Sequence, residues 1–357
     1  MSTLHLFNLD TTVIILTTFA GLISTLISVA YFTLMERKVL AAMQRRRGPN
    51  SVGFYGILQP LADGLKLIGK EGVLPNLAIK NMYLVAPCIS MVMSFSGWIA
   101  LPLTNFNTIE INSDLDLLLF FCISSLGSYG VVLAGWSSFS RYAVMGALRA
   151  ISQLISYEVI FLLAALPPVI LAGGFNFAAL NSAQSLAVWN IFPCAPSALI
   201  FFILLLAETN RTPFDLPEAE AELVSGFNVE YSSVLFAMFS LAEYNSMLMM
   251  STFFSILFLG GWSEGSTFDY FFFVVKTLFI AYLIVASRAK LPRYRYDQLM
   301  YLCWYILLPL CLGTLMLTAG IVMYFNIQFY DSTELLLEVQ KKNDWYYEKY
   351  WGNTYRD

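Results

Sequence analysis

The chain has 357 residues, of which 58% are hydrophobic and only 12% charged, with a formal net charge of −4. Soluble domains run near 45–50% apolar and about 25% charged, so these figures exclude a water-soluble fold. A mean hydropathy of +0.66 agrees, and the chain reads as a membrane protein.

Composition also removes several chemistries. The single histidine, His5, precedes the first apolar run, and the five cysteines contain no C-x-x-C pair. No iron–sulfur, zinc or haem ligand set can therefore be assembled from this chain, and redox chemistry would draw its electrons from a partner. No G-x-G-x-x-G, Walker A or G-x-S-x-G pattern supports nucleotide binding or serine hydrolysis. No nucleic-acid partner is expected.

A bilayer crossing takes about 20 mostly apolar residues in helical form. Eight segments qualify, near 11–35, 81–103, 115–136, 150–172, 194–208, 232–258, 270–287 and 301–325. The first has no charge from Thr11 to Met35, the fifth is short and follows Pro193 and Pro196, and the seventh carries Lys276 near its middle. The expected fold class is an all-α integral membrane protein with about eight transmembrane helices. Residues 1–326 form a single polytopic domain, and 327–357 form an outer-face C-terminal tail in which Glu334, Glu338, Lys341 and Lys342 mix with Trp345, Tyr346 and Tyr347.

Lysine and arginine separate sharply between loops. The first inner loop holds Arg37, Lys38, Arg45, Arg46, Arg47, Lys66, Lys70 and Lys80; later inner loops hold Arg141 and Arg149, then Arg211, then Arg288, Lys290, Arg293 and Arg295. The alternate loops near 104–114, 173–193 and 259–269 contain none. The positive-inside rule then places both termini on the outer side. The first residues, MSTLHLFNLD, have neither a basic n-region nor an arginine, unlike a secretory signal or transit peptide. That suits a bacterial inner membrane or an organelle-encoded protein.

Between Phe54 and Lys70, apolar Phe54, Ile57, Leu58, Leu61, Leu65 and Ile68 recur at helical spacing opposite Gln59, Asp63, Lys66 and Lys70. The pattern predicts an amphipathic helix along the interface, with Pro60 near its first turn. It serves either as a surface anchor or as a chamber wall with Asp63 facing inward.

The loop after the fifth span inverts the local sign. Glu208, Asp215, Glu218, Glu220, Glu222 and Glu230 stand against a single Arg211. Pro217 can open a helix that sets Asp215, Glu218 and Glu222 on one face. Two carboxylates about 6 Å apart at an effective dielectric near 20 repel by roughly 2.8 kcal/mol. An enclosed cluster of this kind keeps some protons near neutral pH and exchanges them as a unit; an open one is a solvated acidic loop. Glu158 and Glu243 lie close to the middle of spans four and six, where a charge seldom occurs without a partner or a pathway, and Lys276 falls under the same rule. Together these acids suggest a proton route from the inner face to mid-membrane. The loop between the seventh and eighth spans, Arg288-Ala-Lys-Leu-Pro-Arg-Tyr-Arg-Tyr-Asp297, suits either phosphate head groups or a polar mouth for a ligand with a hydrogen-bonding head and an apolar tail.

Five stretches then carry a resemblance. Glu36-Arg-Lys38 with Arg46-Arg-Gly-Pro-Asn50, Gln59-Pro-Leu-Ala-Asp63, Glu208-Thr-Asn-Arg-Thr-Pro-Phe-Asp215, Glu222-Leu-Val-Ser-Gly-Phe-Asn228 and Pro292-Arg-Tyr-Arg-Tyr-Asp-Gln-Leu-Met300 occur in this order. The sequence resembles the chain 1 family of NADH–ubiquinone oxidoreductases, membrane subunits that close the quinone chamber of respiratory complex I against its hydrophilic arm. The resemblance covers spans one to eight and stops short of the tail.

It implies that Arg37, Asp63, Arg288 and Arg293 line or border a quinone tunnel, and that Glu158, Glu208, Asp215, Glu218, Glu220, Glu222 and Glu243 form a linking chain of acids. It implies ubiquinone as substrate and no covalently bound cofactor, with iron–sulfur clusters and flavin held only by partner subunits. Partners are then quinone, lipids, the hydrophilic-arm quinone-site subunits and neighbouring membrane-arm subunits, in a mitochondrial inner membrane or a bacterial one. The basic residue usual after Asp-Gln-Leu-Met is replaced here by Cys303, Trp304 and Tyr305. Two alternatives stand beside this reading: the membrane anchor of a related hydrogenase, and an independent proton or cation transporter. The transporter would usually show an inverted repeat, and none is evident.

Overall fold

A computed structural model describes residues 2–101, 115–186, 188–216, 226–262 and 267–325, with side chains described from residue 19 onward except at positions 186 and 267. Glu218, Glu220, Glu222 and the tail beyond 326 lie outside the described residues. All regular structure among the described residues is helical.

The helices run α1 (Ser2–Met43), α2 (Gln59–Gly69), α3 (Lys80–Ala100), α4 (Asp116–Ser137), α5 (Arg141–Ala172), α6 (Phe177–Leu186), α7 (Ala195–Glu208), α8 (Ser233–Phe258), α9 (Thr267–Lys290) and α10 (Tyr296–Phe325). Seven of these are long and apolar enough to cross a membrane, and α7 is a shorter apolar helix. The architecture is thus the expected helical bundle of about eight spans. The outer segment 173–193 contains α6, a helix where the sequence predicts only a loop.

α5 is the hub, packed against α4, α7 and α10. It starts where the Ser140 side chain caps the Ala143 N–H and ends at Gly173 in the left-handed conformation. Arg141 and Arg149 consequently lie on the helix itself, because only Ser138 to Ser140 separate it from α4. Its first half is cut small for close approach: Ala143, Gly146, Ala147 and Ala150 are all buried. A Cβ on Gly146 would stand 2.8 Å from the Gly226 Cα, so the 3₁₀ turn Gly226–Asn228 rests directly on α5. Towards the outer side, Phe120, Phe161, Phe201 and Phe253 fill the core, with Phe120 stacked on Phe253 at 4.1 Å and Phe161 on Phe201 at 4.5 Å.

α7 sets the depth of everything that follows it. It begins level with the outer end of α8, where Ile191 N–H donates to Phe258 O at 3.0 Å. It has 14 residues against the 26 of α8, about 21 Å of helix, so it stops well inside the bundle. Such a half-helix is tolerated because α5, α8 and α10 shield it; Leu204, Leu205 and Ala207 have no exposed surface.

One expectation needs correction. The amphipathic helix begins at Gln59, five residues later than Phe54. Gly53, Tyr55 and Gly56 take positive φ, and a Cβ on Gly56 would meet Pro49 O at 2.4 Å, so the chain folds back in a tight turn before the helix can start. Its apolar Leu61, Leu65 and Ile68 are exposed, as an interfacial helix requires. Lys276, a charge inside a span that needs a partner or a pathway, has partners: its ammonium donates to Leu259 O (2.7 Å) and Gly261 O (3.3 Å) just beyond the C-terminus of α8, and lies 4.6 Å over the Trp189 ring. It neutralises a helix end.

The segment leading into α8 is anchored to α2 and α3. Tyr231 stacks on Tyr83 at 4.2 Å, Ser232 Oγ accepts from Val73 N–H at 3.0 Å, and Ser233 Oγ donates to Lys70 O at 2.7 Å. Burial pushes the Tyr231 phenol up to about 12, so it stays a neutral hydrogen-bonding group.

Gly146→Ala should destabilise the bundle by about 1–3 kcal/mol, since the new methyl group cannot be accommodated against Gly226 without moving backbone. Gly127→Ala, with nothing within 4 Å of its Cβ, should not lower the melting temperature of the detergent-extracted protein.

Candidate functional site

The polar turn after α7 enters the bundle at the level of α1 and the middle of α8. The helix ends as the Thr209 hydroxyl returns to Leu205 O at 3.0 Å, and Asn210 takes a left-handed φ of 49°. Arg211 then points inward, with 7% of its surface exposed, against Glu36 of α1 with 3%. Its Nη1 lies 3.5 Å from Glu36 Oε1, and its guanidinium sits 4.9 Å over the Tyr244 ring of α8. Arg288 at the end of α9 donates through Nη1 to the same Glu36 oxygen.

Further along, the turn meets the connection between α9 and α10. Tyr294 N–H donates to Pro213 O at 3.0 Å and its ring stacks on Phe214 at 5.6 Å. Arg293 Nη2 donates to Asp215 Oδ2 at 2.8 Å, with Asp215 almost wholly buried. On the neighbouring face of α1, Arg37 Nη1 donates to Asp63 Oδ2 of α2 at 2.7 Å, and Gln59 Nε2 donates to Asp63 Oδ1 at 3.0 Å. That pair is largely exposed, with 51% and 35% side-chain exposure.

All four residues expected to line a tunnel therefore hold charge partners: Arg37 with Asp63, Arg288 with Glu36, and Arg293 with Asp215. Of the expected acids, Glu158 stands on α5, the helix packed against both α4 and α7. Glu208 closes α7, with its Oε2 atom sealed from solvent and without a hydrogen-bond partner. Glu243 stands on α8, next in sequence to Tyr244. Glu218, Glu220 and Glu222 lie outside the described residues.

Three members of the site are not singled out by sequence reasoning. Glu36 reads there only as part of a motif, Arg211 only as a topology charge, and Tyr244 not at all. The first two carry a signal: an acid ending a long uncharged run, and a lone base among acids. Tyr244 carries none, because a tyrosine in a span is ordinary. Among the described residues no three of His, Cys, Asp and Glu converge as a metal cage would need.

The sequence model of the family described as NADH dehydrogenase matches residues 16–319, which takes in every ion pair above. The chain is 45% identical over 319 residues to NADH-ubiquinone oxidoreductase chain 1 of Mycosarcoma maydis, covering 87% of this chain and 96% of that one. The chain belongs to the NADH-ubiquinone oxidoreductase chain 1 family. Its Arabidopsis thaliana relative of the same name is 46% identical over 308 residues, covering 84% of this chain and 94% of that one. A subunit of the NADH-quinone oxidoreductase of Rhodospirillum rubrum is 42% identical over 322 residues, with 88% and 95% covered. Relatives named for ubiquinone and for quinone thus both match most of the chain. As a member with several long apolar helices, this chain is membrane-embedded.

Within that family frame the buried and exposed pairs should respond differently to mutation. Glu36→Gln leaves Arg211 and Arg288 facing a neutral amide, and should cost about 3–5 kcal/mol of stability, since Glu36 is 4% exposed in its side chain. Arg37→Ala breaks an exposed pair worth about 0–1 kcal/mol and should leave the melting temperature nearly unchanged. Thermal unfolding of the extracted assembly checks both.

Proposed function

We propose that this chain is the subunit of a proton-translocating NADH:ubiquinone oxidoreductase that forms much of the quinone chamber and couples quinone reduction to proton movement. The observation that carries this reading is the polar turn between Glu208 and Asp215, brought inside the bundle and joined to α1 and to the α9–α10 connection by buried ion pairs. Among the described residues, three guanidiniums (Arg211, Arg288, Arg293) stand there with the carboxylates of Glu36, Glu208 and Asp215, and the guanidiniums bring a concentration of hydrogen-bond donors. Such a lining suits a quinone head, whose carbonyl oxygens accept hydrogen bonds and gain negative charge as electrons arrive.

Quinone reduction takes two electrons and two protons. The electrons come from an iron–sulfur cluster of a hydrophilic-arm partner; flavin belongs to that arm as well. The long-tailed quinone enters from the bilayer between α1 and α2, with Arg37 and Asp63 at the entrance and Arg288 and Arg293 further in. The charge change in the chamber is answered by protonation changes among Glu208, Asp215, Glu218, Glu220 and Glu222, and Glu158 and Glu243 pass it sideways to neighbouring membrane-arm subunits. The packing of α5, which carries Glu158, against α7, which ends at Glu208, supports the first link of that path, because neighbouring acids in a low-dielectric setting exchange protons as a coupled unit. The lysine and arginine distribution supports inner loops in the matrix or cytoplasm, and a mitochondrial or bacterial inner membrane as location. Residues 1–326 form the membrane domain, and 327–357 an outer-face tail.

Asp215→Asn and Glu220→Gln should each stop or uncouple NADH-driven quinone reduction while leaving the assembled complex intact. Membrane vesicles that retain normal turnover and full proton pumping with either change would overturn the acid-relay part of this function. Detergent extraction and size separation test the rest: the chain should co-migrate with a large quinone-reductase-active particle.

A further inference from the structure

Gln153 has no assigned part in quinone or proton chemistry, yet it occupies a decisive place beside the polar turn. It lies in the first half of α5 with no exposed surface. Its single amide nitrogen donates to two carbonyl oxygens, Ala207 O and Phe214 O, each at 2.9 Å. One carbonyl belongs to the last turn of α7, and the other to the residue immediately before Asp215. A neutral side chain on the hub helix thus clasps both ends of the segment that carries Glu208, Arg211 and Asp215.

The other ties on this segment are of a different kind. Its internal backbone bonds, such as Phe214 N–H to Arg211 O at 2.8 Å, give it local shape without fixing it to the bundle. The Arg211–Glu36 and Arg293–Asp215 pairs attach it to α1 and to the α9–α10 connection through groups whose charges matter to the proposed chemistry. Tyr294 N–H adds a hold on Pro213 O. Gln153 contributes the hydrogen-bonded attachment to α5, beside the apolar contact of the Tyr157 ring with Phe214 at 5.8 Å, and it does not titrate near neutral pH, so it holds the segment whatever charge its acids carry. The segment also contains sealed oxygens without a hydrogen-bond partner, on Glu208, Asn210 and Thr212, and Gln153 Oε1 is another. Backbone held at two points keeps such a polar stretch from collapsing onto itself.

We propose that Gln153 is a positioning residue for the proton relay: by fixing the Ala207 and Phe214 carbonyls it sets where the Glu208 and Asp215 carboxylates stand, without exchanging a proton itself. The inference rests on the acid-relay reading above and adds to it a residue that reading does not contain. It also accounts for a buried amide in the middle of a small-residue helix, where an apolar side chain would otherwise serve.

The test uses the whole assembled complex carrying Gln153→Met, of similar length without donors, or Gln153→Glu, of similar shape with an acceptor in place of the donor. Hydrogen–deuterium exchange over residues 205–216 should accelerate by about tenfold or more in both, because both clasping bonds are lost. The kcat for NADH-driven quinone reduction should fall at least about fivefold and its pH profile should shift, since moving the Glu208 and Asp215 carboxylates displaces the groups that exchange protons. Should Gln153→Met fail to assemble, Gln153→Asn, too short to span both carbonyls, supplies the same readouts. Unchanged exchange in an assembled variant overturns the clasp whatever the relay does. Faster exchange with unaltered kcat and pumping overturns the positioning role. The relay reading itself is decided separately, by Asp215→Asn.

Discussion

The constraint on which the rest of the structure depends is the length of α7. Fourteen residues cannot carry the chain from the outer end of α8 to the inner surface, so its C-terminus and the following turn are delivered to the interior. Backbone and side-chain polar groups at that depth have no bulk water to turn to, and leaving them unmatched is costly. The bundle answers with specific partners: Gln153 for two carbonyls, Glu36 and Tyr244 for Arg211, Arg293 for Asp215, and Tyr294 N–H for Pro213 O. The polar site follows from a helix that stops early.

The inner end of α1 ties this interior site to the protein surface. Glu36 and Arg37 are adjacent, and a helix turns about 100° per residue, so they face different neighbours. One joins the buried arginines, the other meets Asp63 on the interfacial helix. A displacement of α2 is thereby felt one residue away from the buried charges. The segment Tyr231–Ser233 adds a second tie, holding the C-terminal end of α2 against the start of α8. Small side chains on α5 let the Gly226 turn seat directly on the hub helix. The elements around the polar turn are therefore mechanically connected rather than merely adjacent.

The outer half obeys different rules. It is filled by aromatic stacking and by amides that cap the end of α8, such as Gln184 Nε2 on Ile256 O and Asn190 Nδ2 on Leu257 O, with Lys276 completing the same task beyond them. A lysine inside a span reads from sequence as a functional charge. Here the carbonyls at a helix end satisfy it, which is a packing role.

Sequence alone determined the membrane class, the approximate number and order of spans and the amphipathic helix, because each depends on hydropathy or periodicity along the chain. It also pointed to Arg288, Arg293, Asp215 and Glu208 through local density of charge in a place where charge is expensive. Tertiary structure alone decided which charges meet. The Glu36–Arg288 pair joins residues 252 positions apart, and no spacing rule reaches that far. Gln153 is illegible in the sequence for the same reason: an amide at an apolar helix position acquires meaning only when two carbonyls 54 and 61 residues later are folded against it. The start of α2 departs from the pattern because apolar periodicity continues through Phe54, whereas the backbone at Gly53–Gly56 is set by its fold-back onto Pro49. Periodicity records which face a residue prefers; the partners on that face, and the turns that bring them there, are set by long-range packing.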